Sequence, residues 1–169
     1  QESCAVILAA GEGKRMKSRR PKALSPVLFK PMLQWVLDSV RAAGIRRVCV
    51  VTGYRHEEVE RYLAEHAPEV STVYQAERMG TGHAVMTAEG FLRACGGDVL
   101  VLNGDAPFLD AETIRGAHRA HTEQGCSVTV VSAELDDPSG YGRIVRDAET
   151  HRVCGIVEQK DASGPVRAV

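Results

Sequence analysis

Two glycines followed by a run of cations form the first arrangement in this chain that could do chemistry. Leu8-Ala9-Ala10-Gly11-Glu12-Gly13 leads into Lys14–Lys22, where six basic residues stand without an acidic one. Glycine lets backbone N–H groups approach an anion closely and form a nest for phosphate oxygens. Met16 stands where the third glycine of G-x-G-x-x-G would fall, and the spacing is not that of a Walker A loop. Three readings remain: a solvated basic loop, a nucleic-acid patch, or a polyphosphate site. No aromatic platform is interleaved with the charges, which argues against the nucleic-acid patch. The polyphosphate reading uses every feature.

Two further segments carry polar groups suited to a ligand. Asp105, in Asn103-Gly104-Asp105-Ala106-Pro107, follows a buried apolar run. Its carboxylate is a hard oxygen donor of the kind Mg²⁺ takes together with substrate phosphates. The alternative is a turn or helix cap before Pro107, but Asp110 is better placed to cap a helix starting at Ala111. Gln75 ends another apolar run, and Gly80-Thr81-Gly82 follows just before a helical pattern. An amide with a paired donor and acceptor suits a base edge, and an exposed Gln in a flexible turn fits equally well. His118 and His121 share one helical face without a third ligand in view, and His83 reads as a structural residue at a helix start.

The elements that position these groups are legible from periodicity. Ser3–Leu8, Arg47–Thr52, Thr72–Gln75, Asp98–Leu102 and Ser127–Ala133 read as strands, mostly as continuous apolar runs, which imply burial on both faces of a parallel sheet. Leu33, Val36, Leu37 and Val40 recur at helical spacing, as do Ala84, Ala88, Phe91, Leu92 and Cys95, with Gly44 and Gly96 at the expected helix ends. Gly142–Val145 and Arg152–Val157 read as two strands joined by a short loop. The alternation predicts a doubly wound, mostly parallel, Rossmann-like α/β sheet, with ligands beyond the carboxyl ends of its strands.

Composition sets outer bounds. One domain accounts for 169 residues, and a formal charge of −1 excludes a generally basic nucleic-acid binder. The longest apolar stretch, Ala5–Ala10, is far short of the ~20 residues of a membrane span, and it lacks the flanks of a signal peptide. The expectation is a soluble, cytoplasmic domain. Five scattered cysteines with no C-x-x-C pair read as small core hydrophobes. The chain opens without Met and stops at Val169 with neither a closing strand nor a helix cap, which reads as a piece of a longer protein.

Together these segments resemble the sugar-phosphate nucleotidyltransferases. They are most similar to the uridyltransferase half of the bacterial bifunctional N-acetylglucosamine-1-phosphate uridyltransferase/glucosamine-1-phosphate acetyltransferases. The resemblance runs through L-A-A-G-x-G-x-R-M-x-S-x-x-P-K at Leu8–Lys22, Gln75-Ala76-Glu77 with Gly80–Ala84, and Gly104-Asp105-x-Pro107. It closes with Gly140–Ile144 and Gly155–Ala162. It implies transfer of UMP from UTP to N-acetylglucosamine-1-phosphate, for cell-wall precursor synthesis, with Mg²⁺ as cofactor and no nucleic-acid or membrane partner. It implies that Leu8, Ala10, Gly11, Gly13, Asn103 and Gly104 border the nucleotide, with Arg15 and Lys22 catalytic against its phosphates. Gln75, Gly80 and Thr81 would read uracil, Asp105 would bind the metal, and Gly142 and Glu158 would contact the sugar. The family's second, downstream metal-binding Asn has no counterpart, since the sole Asn is Asn103. The resemblance also implies an attached left-handed β-helix domain and a homotrimer built through it. Two alternatives stay open: a related enzyme using CTP or GTP with another acceptor, and a non-catalytic nucleotide-binding module.

Overall fold

Strand β1 (Cys4–Ala9) is apolar throughout, and five of its six residues are buried. A continuous apolar run is the pattern of a parallel strand covered on both faces. Parallel strands flank it here: β4 (Arg47–Thr52) on one side and β6 (Val99–Asn103) on the other, with β5 (Ser71–Tyr74) beyond β4. The structure, a computed structural model, describes residues 2–13, 20–77 and 79–167. It forms two compact units, Gln1–Gln124 and Gly125–Val169.

In the first unit, one face of the sheet offers Ala5, Ile7, Ala9, Val48 and Val50 to helix α1 (Met32–Ala42), where Leu33, Val36, Leu37 and Val40 are fully buried as their spacing predicts. Helices α2 (His56–His66) and α5 (Ala111–Glu123) complete that core with Val59, Leu63 and Ile114. The other face packs Val6, Cys49 and Val51 against Ala84 of α3 (Thr81–Thr87), Ala88, and Phe91 and Leu92 of α4 (Glu89–Arg93). Gly44 closes α1 at φ +93°, where Gly44 N–H donates to Arg41 O and Ile45 N–H to Val40 O. Helix α4 closes instead on Ala94 in the right-handed region, so Gly96 is not its cap.

The path of the chain decides where a ligand can sit. After β1 it passes through a 3-10 turn (Lys22–Leu24), a short hairpin of β2 (Pro26–Val27) and β3 (Lys30–Pro31), and α1 to build β4 and then β5 on one side. It then returns through α3 and α4 to lay β6 on the other side of β1. The carboxyl ends of β1 and β6 are the switch point, where such sheets leave a crevice. The four predicted strands of this unit fall within one residue of their expected ends.

The second unit holds an antiparallel pair, β7 (Arg143–Arg146) and β8 (Val153–Val157), followed by the short α6 (Gly164–Arg167). The tight loop between the strands is an Asx-turn in which Asp147 Oδ1 accepts from the N–H groups of Glu149 and Thr150. The expected strand at Ser127–Ala133 is absent: the segment joins no sheet, and Val128, Val130 and Val131 are exposed. Its β-branched residues give it the propensity, but propensity is a weak determinant of strand formation beside tertiary context.

Candidate functional site

A pocket of about 330 Å³ opens at the carboxyl ends of β1 and β6. Its floor is Leu8, Ala9, Ala10 and Gly11, its walls are Lys22, Ala23, Asn103 and Asp105 on one side and Gln75, Gly80, Thr81 and Ala84 on the other. The volume lies within the ~300–1,000 Å³ typical of small-molecule sites. Segments nearly a hundred residues apart meet here because β1 and β6 pair in register from Cys4↔Val99 to Leu8↔Asn103.

Lys22 and Asp105 face each other across one end of the pocket as an ion pair, each about one-third exposed. Asp105 is thus not a helix cap. That role belongs to Asp110, whose Oδ1 accepts from Thr113 N–H at 2.7 Å, and this backbone bond holds its carboxyl below the usual aspartate range. Two glycines shape the approach without lining it. Gly13 sits at φ +65°, and a Cβ there would lie 2.8 Å from Cβ of Lys22. Gly104 donates its N–H to Leu8 O at 2.9 Å, and a Cβ there would come within 3.1 Å of that oxygen. Gly11 differs: a Cβ would meet nothing within 4 Å, so protein packing does not demand glycine at this point of the floor.

The Gly13 geometry gives a direct test. In Gly13→Ala, the new methyl collides with the stem of Lys22 and the left-handed backbone is disfavoured for alanine by ~1–2 kcal/mol. Lys22 must shift, so kcat/KM is expected to fall at least ~10-fold with a small loss of stability, since misplacement of a positioned group by ~1 Å costs up to ~10²-fold. Steady-state kinetics and thermal melts measure the two together, and wild-type kinetics in Gly13→Ala would detach Gly13 from the placement of Lys22.

Gln75 is the buried polar group of the opposite wall, only 4% exposed. Its backbone N–H extends the sheet ladder to Thr52 O at 2.8 Å. Its side-chain nitrogen donates to Gly80 O at 3.3 Å and lies 2.9 Å from Nδ1 of His83. Gly80 itself adopts φ +98°, ψ −179°, a combination open essentially to glycine alone. His83, expected as a structural residue at a helix start, does stand in the first turn of α3, with Nδ1 against the Gln75 amide. Its position two residues after Thr81 on α3 was the only available signal of that contact.

Arg15 and the rest of Lys14–Arg19, with Arg78, lie outside the described residues. Gly142 and Glu158 belong to the second unit, where the pairing of Arg143 with Val157 sets them opposite each other at the open end of the hairpin. Glu158 is exposed, and Gly142 backs onto Ile156, whose Cγ2 would lie 3.2 Å from an added Cβ.

The remaining chemistry-bearing side chains sit elsewhere. His118 Nε2 meets Asp98 Oδ2 at 2.9 Å, with His121 Nε2 3.7 Å from Oδ1 of the same carboxylate. Among the described residues no group of three or more His, Cys, Asp or Glu is arranged to hold a metal ion. Cys4 and Cys49 are core residues, and burial pushes their thiols up to about 12 and about 11, so neither is a thiolate near neutral pH. Cys95 and Cys126 are only partly buried and Cys154 is exposed, so the core reading does not extend to them. No helix among the described residues is long and apolar enough to cross a membrane.

Residues 5–153 match the family described as the MobA-like NTP transferase domain. The chain is 48% identical over 163 residues to the bifunctional protein GlmU of Caldanaerobacter subterraneus, covering 96% of this chain and 35% of that protein. It is 47% identical over 164 residues to the protein of the same name from Cutibacterium acnes, covering 97% of this chain and 39% of that one. The chain thus spans little more than a third of the length of these relatives. Among solved structures it resembles a UDP-glucose pyrophosphorylase complexed with UDP-glucose (TM-score 0.73, 22% identity, 96% of this chain and 72% of that one). It also resembles HddC from Yersinia pseudotuberculosis (TM-score 0.69, 23% identity, 92% and 69%). At these identities the two structures establish the nucleotidyltransferase fold alone.

Proposed function

The chain belongs to the MobA-like NTP transferase family, and from that premise we propose that it is the uridylyl-transferring part of a bifunctional enzyme, joining UTP and N-acetylglucosamine-1-phosphate into UDP-N-acetylglucosamine and pyrophosphate. The observation that carries the reading is the pocket at the switch point. It gathers a floor of small residues, a cation, a carboxylate and a buried amide, all on the family's motifs.

The chemistry needs little covalent help from the protein. A sugar-1-phosphate has a second pKa of about 6, so at neutral pH its phosphate oxygen is already an anionic nucleophile. That oxygen forms a bond to the α-phosphorus of UTP, the bond from the α-phosphorus to the bridging oxygen breaks, and the electron pair leaves with pyrophosphate. No proton has to be removed, so no general base is required. The protein has to bring two anions together and stabilise the charge that moves onto the leaving group. Lys22, standing over the floor of β1, supplies a cation at that place, and Arg15 is assigned the same task. Ala10 and Gly11 leave room for phosphates close to the backbone, Leu8 and Asn103 border the nucleotide, and Gln75 with Gly80 and Thr81 meets the base. Gly142 and Glu158 are assigned to the sugar.

Mg²⁺ fits the donors present. Asp105 is a hard oxygen donor about one-third exposed in the pocket, and Mg²⁺ is commonly held by one or two carboxylates plus substrate phosphates. When bound, the metal neutralises phosphate charge. A second, acetyltransferase domain belongs to the same proposal, supported by relatives that are named bifunctional and are far longer than this chain, and the homotrimer is carried over from the family resemblance alone. The proposed setting is the cytoplasm, where nucleoside triphosphates are made.

The test is pyrophosphate release by the full-length protein across a panel of nucleoside triphosphates and sugar phosphates. UTP with N-acetylglucosamine-1-phosphate is expected to be the fastest pair. A faster pair with CTP or GTP would replace the substrate assignment, and no release with any pair would make the domain a binding module.

A further inference from the structure

An amide presents either a donor or an acceptor to a ligand, depending on which way it is turned. For Gln75 the surroundings decide. Its nitrogen lies 3.3 Å from the carbonyl oxygen of Gly80, which can only accept, so the NH₂ end must be on that side. The same nitrogen lies 2.9 Å from His83 Nδ1. That contact is attractive only if Nδ1 carries a lone pair, which puts the ring proton on Nε2. Both amide hydrogens are then committed inside the protein. The carbonyl oxygen is the atom left for a ligand, on a side chain that is 4% exposed and lines the pocket.

Resting on the uridylyl-transfer reading above, we propose that His83 is a positioning residue that holds the Gln75 amide with its oxygen toward the base, and thereby selects a base with a ring N–H over one with a ring-nitrogen lone pair. Uracil offers N3–H to that oxygen. Cytosine in the same pose offers the N3 lone pair, and two acceptors facing each other in a buried site are penalised by an unmade hydrogen bond. Gly80 alone is a weak anchor at 3.3 Å, so it is His83 that keeps the amide from turning.

The experiment is calorimetric binding of UTP and CTP to the wild-type protein and to His83→Leu, His83→Asn and His83→Gln, with a thermal melt of each. Wild type is expected to favour UTP over CTP by about tenfold, the scale of one hydrogen bond. His83→Leu leaves the amide free to turn, so UTP weakens about tenfold and the preference falls toward one. Asparagine can place Oδ1 where Nδ1 stood and is expected to keep the preference, whereas glutamine reaches the place of Nε2 and is expected to lose it. A folded His83→Leu with an unchanged UTP:CTP ratio overturns the inference and leaves the proposed function standing. If the leucine variant does not fold, equal ratios in the asparagine and glutamine variants overturn it instead. A wild type that binds CTP as well as or better than UTP, or binds neither, overturns the uracil reading itself.

Discussion

Replacing Lys22 with alanine is expected to lower kcat of the full-length enzyme by ~10²–10³ while UTP affinity changes by only a few fold. The asymmetry follows from where the ammonium stands. It lies beside Asp105 in the pocket lined by the small residues that end β1, and the proposed reaction would build charge there as the α-phosphorus changes partners. In the proposed site UTP would also be held by the base wall and the floor, so losing one cation should weaken binding little. The transition state has more charge to be met, so the loss appears in turnover. Lys22→Arg is not expected to restore the rate fully, because a planar guanidinium spreads its charge over a fork that the stem passing Gly13 has not been shaped for. Near-wild-type kcat in Lys22→Ala would remove this residue from the catalytic assignment.

Asp105→Asn is expected to raise the Mg²⁺ concentration needed for half-maximal rate by at least ~10-fold and to reduce kcat by on the order of 10², with the fold intact. The substitution keeps the shape and one oxygen but removes the charge that a hard divalent cation requires. It also deprives Lys22 of its partner, so the effects of Lys22→Ala and Asp105→Asn are not expected to add. Asp110→Asn is the control, since this nearby carboxylate caps α5 and asparagine is an equally good cap. Its magnesium titration should match wild type. A titration unchanged in Asp105→Asn would sink the metal assignment.

Much of the first unit was legible because burial leaves its signature in the sequence. Val48-Cys49-Val50-Val51 is apolar without interruption, and all four residues are buried between two helical layers. Gln75 and Asp105 could be singled out because each follows an apolar run, and strand ends converge in a parallel sheet; Lys22 was marked instead by the run of six cations it closes and by the family motif. What periodicity cannot report is whether a partner exists. Val99-Leu100-Val101-Leu102 has the same apolar character, yet β6 is the sheet's outer strand, with Val99 and Val101 exposed. Ser127–Ala133 has the composition of a strand, yet among the described residues it joins none of the sheets. The linkage of Gly13 to Lys22 and of His83 to Gln75 was hidden for another reason. Each depends on where two side chains meet in space after the backbone has turned, and residue type and spacing do not encode that distance.

The arrangement of β1 between β4 and β6 has a consequence for how the protein is made. β1 leaves the ribosome before both of its neighbours, and its partner β6 follows some ninety-five residues later. At roughly 5–20 residues per second, β1 waits on the order of 5–20 s with one edge unsatisfied, though β4 becomes available to the other edge about halfway through. Closing that long loop is the entropically demanding step, and contacts of such sequence separation slow folding. The ligand pocket does not exist until it closes, because the floor is carried by β1 and the carboxylate wall by β6. On the proposed function, a nucleotide that binds only the closed form would pull the late-arriving strand into place by mass action, and substrate would double as a folding ligand for the newly made chain.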